Sequence, residues 1–145
     1  PRRRALVMGV DDLVRKWIGP AQAWAEILPP CALPAREFYR RIHCLMPINF
    51  AALENWPRVG LEAMACGVPI VAPREGGWCD IITHGENGFL ASSAEEFAEL
   101  GTLLARDESL RMKIAAQARR KLETELANPD DIWAGWQRLF ASLGG

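Results

Sequence analysis

The stretch from Glu54 to Pro69 most constrains how this chain can fold. It reads ENWPRVGLEAMACGVP and carries residues that favour the start of a helix near one end and its termination near the other. Pro57 suits the first position of a helix, where a missing N–H costs nothing. Gly67 suits the position just after a helix, and Pro69 prevents the helix from resuming. The stretch therefore predicts a helix from Pro57 to Cys66, apolar almost all round and so buried.

Arg58 and Glu62 interrupt this apolar pattern and lie one helical turn apart on the same face. One interpretation is a surface ion pair, worth about 0.3–0.5 kcal/mol. However, an arginine in the first turn opposes the helix dipole unless an anion lies there. The alternative is a ligand site, in which the N–H groups of Arg58 and Val59 bind a phosphate. Glu62 would then accept hydrogen bonds from hydroxyl groups.

Short apolar runs alternate with helical patterns along the rest of the chain. Such alternation predicts an α/β fold with a Rossmann-like, doubly wound parallel sheet, followed by C-terminal helices. The predicted strands are 5–10, 24–28, 44–48, 68–72 and 89–90. The predicted helices are 34–43, 57–66, a turn at 80–83, 93–105, 107–126 and one from Asn128 onward, and residues 11–23 also have helical spacing. Ser93 with Glu96 predicts a capping box, and Asp107 and Asn128 predict further N-caps.

Two loops follow predicted strands and are candidate ligand sites, because ligands bind beyond the carboxyl ends of parallel strands. They are residues 49–56, which lead into the central helix, and residues 73–78. The second loop contains Gly76 and Gly77. Two adjacent glycines would let the backbone approach a ligand closely, although an ordinary loop is the alternative.

The order of these features resembles a known family. Glu54 and Glu62 form a Glu-x7-Glu pair, followed by AMACGVPIVA and the Gly-Gly loop. This is similar to the nucleotide-sugar-binding half of GT-B glycosyltransferases, in the retaining group with a Glu-x7-Glu motif. The resemblance runs from about Leu33 to Leu143. It implies that Glu54 contacts the donor sugar, that backbone amides from Trp56 to Val59 hold the diphosphate, and that Glu62 binds the ribose.

The chain also departs from the family pattern. Pro57 stands where the family usually has glycine, and Asp80 where it usually has glutamate. The family also holds the diphosphate with an arginine and a lysine after the first strand of this half. Only Arg15 and Lys16 come near that place here, and a solvated helix face is the preferred interpretation. The chain is expected to start at the family's second strand and to lack the acceptor-binding half.

The expected function is therefore donor binding in a glycosyltransferase that uses a nucleoside diphosphate sugar, with no other cofactor and no metal. Two alternatives stay open: a sugar-nucleotide epimerase of the same fold, and a non-catalytic α/β interaction module.

The 145 residues suggest a single domain taken from a larger two-domain enzyme, inactive by itself. A net charge of −1 gives no indication of nucleic-acid binding. The chain has no apolar run of the roughly 20 residues that span a bilayer, and four cysteines without a Cys-x2-Cys pair favour a reducing, cytoplasmic setting.

The last predicted helix carries a stripe of large apolar side chains. They recur at helical spacing and comprise Ile132, Trp133, Trp136, Leu139, Phe140 and Leu143. Part of this stripe can pack on its own domain. Aromatic side chains left uncovered would form a contact surface. We therefore expect the chain to self-associate as a homodimer, with Trp133 or Trp136 in or near the contact.

Overall fold

The computed structural model describes residues 5–9, 23–48 and 53–143. The chain divides into two compact units, Pro1–Ile42 and His43–Gly145. The predicted helical spacing at 11–23, with Arg15 and Lys16, lies outside the described residues apart from position 23.

Among its described residues, the first unit contains two parallel strands and one short helix. Strand β1 (Ala5–Met8) pairs in parallel with β2 (Ala25–Leu28). Helix α1 (Ala35–Arg40) begins directly after Pro34 and buries Tyr39. All three elements are shorter than predicted. Arg41 and Glu26 form an ion pair of 2.7 Å at the surface, where such pairs contribute little to stability.

The second unit contains two named strands and five α-helices in its described part. In chain order these are α2 (Arg58–Ala65), β3 (Val71–Pro73), α3 (Trp78–Ile81), β4 (Phe89–Ala91), α4 (Ala94–Arg106), α5 (Glu108–Lys121) and α6 (Pro129–Leu143). A π-helical turn, Leu122–Leu126, extends α5. The prediction of an α/β fold with parallel strands and C-terminal helices is confirmed.

Strand β3, together with the residue before it, lies between β4 and Leu45. It pairs in parallel with β4 on one side. On the other side a single parallel bridge joins Ile70 to Leu45. The prediction of a full strand at 44–48 is wrong in extent, as is the predicted start of the next strand at Val68. Pro47 and Pro69 have no N–H to donate to a ladder, which accounts for the short pairing.

Helix α2 is buried on one face and not all round as predicted. Gly60, Ala63 and Met64 are its buried residues, whereas Val59 is 45% exposed. The prediction failed because small and apolar residues dominate both faces, although only one face packs against the rest of the unit. The helix is also one residue shorter at each end, with Pro57 and Cys66 as its cap residues.

The C-terminal helices begin as predicted. The side chain of Ser93 accepts a hydrogen bond from the Glu96 N–H at 3.2 Å, and Glu96 accepts one from the Ser92 N–H at 2.6 Å. Asp107 accepts from the Leu110 N–H at 2.8 Å, and Asn128 from the Asp130 N–H at 3.1 Å. These caps satisfy amides that have no partner inside their helices.

The core of the second unit joins its strands to helices α4 and α5. Its buried members are Val71, Phe89, Leu104 and Ile114, from β3, β4, α4 and α5. The helix predicted at 80–83 is Trp78–Ile81, so it starts directly after the Gly-Gly loop. This core therefore packs the first residue of β3 against β4, α4 and α5.

Candidate functional site

Two backbone segments meet beyond the carboxyl end of β3. The Gly77 N–H donates a hydrogen bond of 2.6 Å to the Glu54 carbonyl. Gly76 has a φ of +53°, and a Cβ atom there would lie 2.6 Å from the same carbonyl oxygen. A Cβ atom on Gly77 would overlap the Asn55 carbonyl. Both glycines are therefore required for the loop to reach the segment that enters α2.

The first turn of α2, residues 58–61, follows that segment directly. The Pro57 carbonyl accepts hydrogen bonds from the Gly60 N–H at 2.9 Å and the Leu61 N–H at 3.3 Å. The helix thus begins with the Arg58 amide pointing out of its N-terminal end. This turn contains no acidic residue, so its own side chains do not offset the positive end of the helix dipole.

The site residues predicted from the sequence lie around this helix start. Glu54 is half-buried, whereas Trp56, Arg58 and Glu62 are exposed. Arg58 and Glu62 lie one turn apart in α2, as predicted. In the structure, the Gly76–Gly77 loop contacts the backbone of Glu54 and Asn55, in the segment that leads into α2.

The far end of α2 is held by a glycine and by an arginine from α5. Gly67 has a φ of +71°. The Val68 N–H bonds to the Ala63 carbonyl at 2.9 Å, and the Gly67 N–H to the Met64 carbonyl at 3.1 Å. This pair of bonds is a Schellman ending. Arg119 donates to the Ala65 carbonyl at 2.7 Å, which ties the helix to α5.

Arg119 also forms a 2.7 Å ion pair with Glu123, one turn further along. Sequence reasoning did not identify Arg119, because 54 residues separate it from its carbonyl partner. The sequence shows only that Arg119 lies four residues before Glu123, a spacing that predicts an ion pair on the helix surface and not a contact with α2.

A second group of polar side chains lies beyond β3 and β4. Arg74 donates to the Ser92 hydroxyl at 3.2 Å and to the Leu90 carbonyl at 3.2 Å. The Leu90 N–H donates to Nδ1 of His84 at 3.1 Å, so this ring holds the backbone of β4. An open cavity of about 330 Å³ adjoins Arg74, Glu75, Ser92, Ser93 and Phe97. Sequence reasoning missed Arg74, although it directly follows a strand.

Within the described residues, no group of three or more histidine, cysteine, aspartate or glutamate side chains is placed to hold a metal ion. No helix in the same part of the chain is both long enough and apolar enough to cross a membrane.

The parallel α/β fold, with loops meeting beyond its strands and helices at its C-terminal end, fits a C-terminal domain of the GT-B type. The model of the family "Glycosyl transferases group 1" matches residues 35–121, which is more than half of the chain. The chain therefore belongs to this family.

Curated relatives agree with this assignment. A D-inositol 3-phosphate glycosyltransferase of Acidothermus cellulolyticus is 34% identical over 122 residues, covering 81% of this chain and 24% of that protein. An N-acetyl-alpha-D-glucosaminyl L-malate synthase of Bacillus anthracis is 37% identical over 71 residues, covering 48% of this chain and 19% of that protein. The chain thus spans about a fifth to a quarter of the length of these relatives.

Solved structures show the same fold. HepE of Anabaena, in complex with UDP and glucose, matches with a TM-score of 0.65 and 27% identity, over 70% of this chain and 28% of that one. The C-terminal domain of LpcC from Francisella tularensis matches with a TM-score of 0.60 and 27% identity, over 71% and 54%. TarM of S. aureus has a TM-score of 0.78 at 18% identity, over 94% and 29%, a likeness of fold alone.

Proposed function

We propose that this chain binds a nucleoside diphosphate sugar, and that the longer enzyme transfers the sugar to an acceptor with retention. The hydrogen bond from Gly77 to the Glu54 carbonyl carries the proposal. It brings two ligand-facing segments together beyond the carboxyl end of β3, where ligands of open parallel sheets bind. The complex of HepE with UDP and glucose supports a uridine nucleotide as the donor carrier.

The diphosphate would bind at the first turn of α2. The Arg58 amide and the positive end of the helix dipole favour an anion there, with the Trp56–Val59 backbone around it. The exposed Arg58 side chain adds a full positive charge. As the sugar leaves, negative charge develops on the diphosphate, and groups already aimed at that charge lower the barrier.

The two glutamates of the motif would bind the rest of the donor. Glu62 lies one turn after Arg58 and would accept hydrogen bonds from the ribose hydroxyls. Glu54 precedes the helix and would contact the sugar, close to the reacting bond. The donor is a substrate, so the proposal needs no other cofactor.

The acceptor would bind to a second domain, N-terminal to this chain in the longer enzyme, so that this chain alone has no transferase activity. We also propose a cytoplasmic enzyme, because the four cysteines are all unpaired thiols and disulfides are rare in that compartment. A sugar-nucleotide epimerase would share the nucleotide site. A non-catalytic interaction module would not bind a nucleotide.

Isothermal titration of the chain with UDP, GDP and ADP tests the proposal. We expect saturable binding of one nucleotide, weakened by about tenfold or more in Arg58→Ala, because a hydrogen bond to a charged group contributes about 1.5–3 kcal/mol. Arg120→Ala removes an equally exposed charge from α5 and should bind like wild type. Absence of binding by all three nucleotides would favour the interaction module. Transfer to an added acceptor by the longer enzyme separates a transferase from an epimerase.

A further inference from the structure

Trp78 is a large buried side chain directly after the Gly-Gly loop. It begins α3 and is 1% exposed. Its indole N–H has no hydrogen-bond partner, and among the described residues it is the single buried side-chain nitrogen or oxygen in that state. A buried, unpaired N–H destabilises the folded chain. Leucine or phenylalanine would avoid that penalty, so the size and shape of the indole ring require an explanation.

The ring packs against a glycine in α2. A Cβ atom on Gly60 would lie 2.8 Å from Cζ3 of Trp78 and 2.9 Å from Cδ1 of Ile81. These distances are shorter than any ordinary carbon contact, so residue 60 can carry no side chain while the ring stays in place. Glycine is a poor residue for a helix interior. Its presence at position 60 is therefore explained by the space that Trp78 occupies.

Trp78 and Gly77 hold the same loop at two points. The Gly77 N–H bonds to the Glu54 carbonyl before α2. The ring of the next residue packs against Gly60, inside the first turn of α2. Both points lie on α2 or on the segment entering it, so together they determine how the loop is placed against the helix start.

We propose that Trp78 is a positioning residue for donor binding: its ring, seated on Gly60, sets the distance between the Gly76–Gly77 loop and the first turn of α2. The inference rests on the proposed function, because these two segments would form the diphosphate and sugar site. Trp78 touches no substrate in this scheme. A misplacement of about 1 Å in such a site can lower activity by two orders of magnitude.

Variants that enlarge the side chain at residue 60, shorten the one at residue 78, or do both test the proposal. Gly60→Ala pushes the ring away, and Trp78→Phe leaves a gap, so each should weaken UDP binding by about tenfold by misplacing the loop. The double variant should recover most of the affinity, because the shorter phenylalanine ring leaves room for the alanine methyl group, and the flexible end of the Ile81 side chain can shift away from it. Such non-additivity is the mark of two residues in contact.

A matched control separates positioning from general stability. Leu104→Ala truncates a fully buried side chain of α4 in the hydrophobic core of the second unit. It should lower thermal stability at least as much as the test variants do. Its UDP affinity should nevertheless stay within about twofold of wild type, far less than the tenfold loss expected for the test variants. If the test variants lose stability but bind UDP like wild type, Trp78 is a packing residue only.

Amide hydrogen exchange tests the same point without a ligand. The Gly77 amide should exchange about tenfold faster in Trp78→Phe than in wild type, because its bond to Glu54 opens more often. It should slow again in the double variant. Unchanged Gly77 exchange in both single variants would overturn the inference. If wild type binds no nucleoside diphosphate, the proposed function fails, and the exchange rates still decide whether Trp78 places the loop.

Discussion

Glu54 and Glu62 stand at the start of α2 in different surroundings. Glu54 is half-buried in the segment that receives the Gly77 hydrogen bond, whereas Glu62 is exposed on the helix. A change at Glu54 therefore acts beside the loop contact. A change at Glu62 acts on the surface one turn further along.

We predict that Glu62→Ala in the intact enzyme weakens binding of the nucleoside diphosphate by about tenfold, through loss of hydrogen bonds to the ribose. Glu54→Ala should lower kcat more than it lowers nucleotide affinity, because its contact is with the sugar. Titration and steady-state kinetics measure the two effects. Glu99→Ala, on the exposed surface of α4, is the control. Wild-type affinity and activity in Glu62→Ala would refute the ribose assignment.

Cys44 differs from the other three cysteines, which are exposed. Its thiol donates to the Leu45 carbonyl at 3.5 Å. Burial raises the pKa of Cys44 from 9.0 to about 12, although a backbone hydrogen bond at Val71 and the charge of Arg111 partly oppose the shift. The folded chain therefore keeps this proton at a pH where the unfolded chain loses it.

This pKa shift predicts a pH-dependent stability. The contribution of the protonated thiol is complete below pH 9 and is lost as the pH rises toward 12. Between these limits the free energy of unfolding should fall by about 1 kcal/mol per pH unit more in wild type than in Cys44→Ala. Urea unfolding at several pH values measures the difference. Cys79→Ala, which removes an exposed thiol, should keep the wild-type slope, and equal slopes in all three would contradict the prediction.

At the scale of elements, α2 is held by other segments at both of its ends as well as along its buried face. Its first turn meets the Gly-Gly loop indirectly through Glu54 and Trp78. Its last turn is closed by Gly67 and by the Arg119 side chain. The ends have separate partners, so stability at the C-terminal end can be changed without touching the proposed ligand site.

We predict that Gly67→Ala lowers the free energy of unfolding by about 1 kcal/mol and leaves UDP affinity unchanged. The cause is backbone strain alone, since a Cβ atom there would meet nothing within 4 Å, while φ is +71°. Gly135→Ala is the matched control. It also has open space around it but lies inside α6, where alanine should stabilise by up to about 1 kcal/mol. Thermal unfolding that shows the same sign for both variants would disprove this account.

At the scale of the whole molecule, α6 is the least buried long helix that the structure describes. None of its residues is buried. Its six large apolar side chains are 47–71% exposed, and the rings of Trp136 and Phe140 stack with centroids 5.8 Å apart. Contiguous exposed apolar surface of this kind is characteristic of a contact site.

We predict that the isolated chain self-associates through this face. Sedimentation velocity at several concentrations should show a dimer whose share rises with concentration. Trp133→Ser combined with Trp136→Ser should abolish it, because the apolar contact is lost. Trp24→Ser removes a tryptophan that is exposed in the first unit and should dimerise like wild type. A wild-type chain that stays monomeric at all concentrations would exclude self-association.

Much of the element order was predictable from local chemistry. Gly67, Ser93, Asp107 and Asn128 end or begin helices where the sequence rules place them. These residues act within four or five positions of themselves, through left-handed backbone or through a side chain that accepts from a nearby N–H. The Glu54–Glu62 spacing and the Gly-Gly pair could also be read without coordinates.

Tertiary structure alone decided which apolar residues are covered and what the glycines contact. Val59 and Cys44 both lie in apolar stretches, yet Val59 is exposed whereas Cys44 is half-buried against the core. Gly77 reaches Glu54, and Gly60 makes room for Trp78, across roughly twenty residues of sequence. Periodicity describes which residues share a face of one element. It does not describe which face another segment will cover, because that depends on contacts between segments distant in the chain.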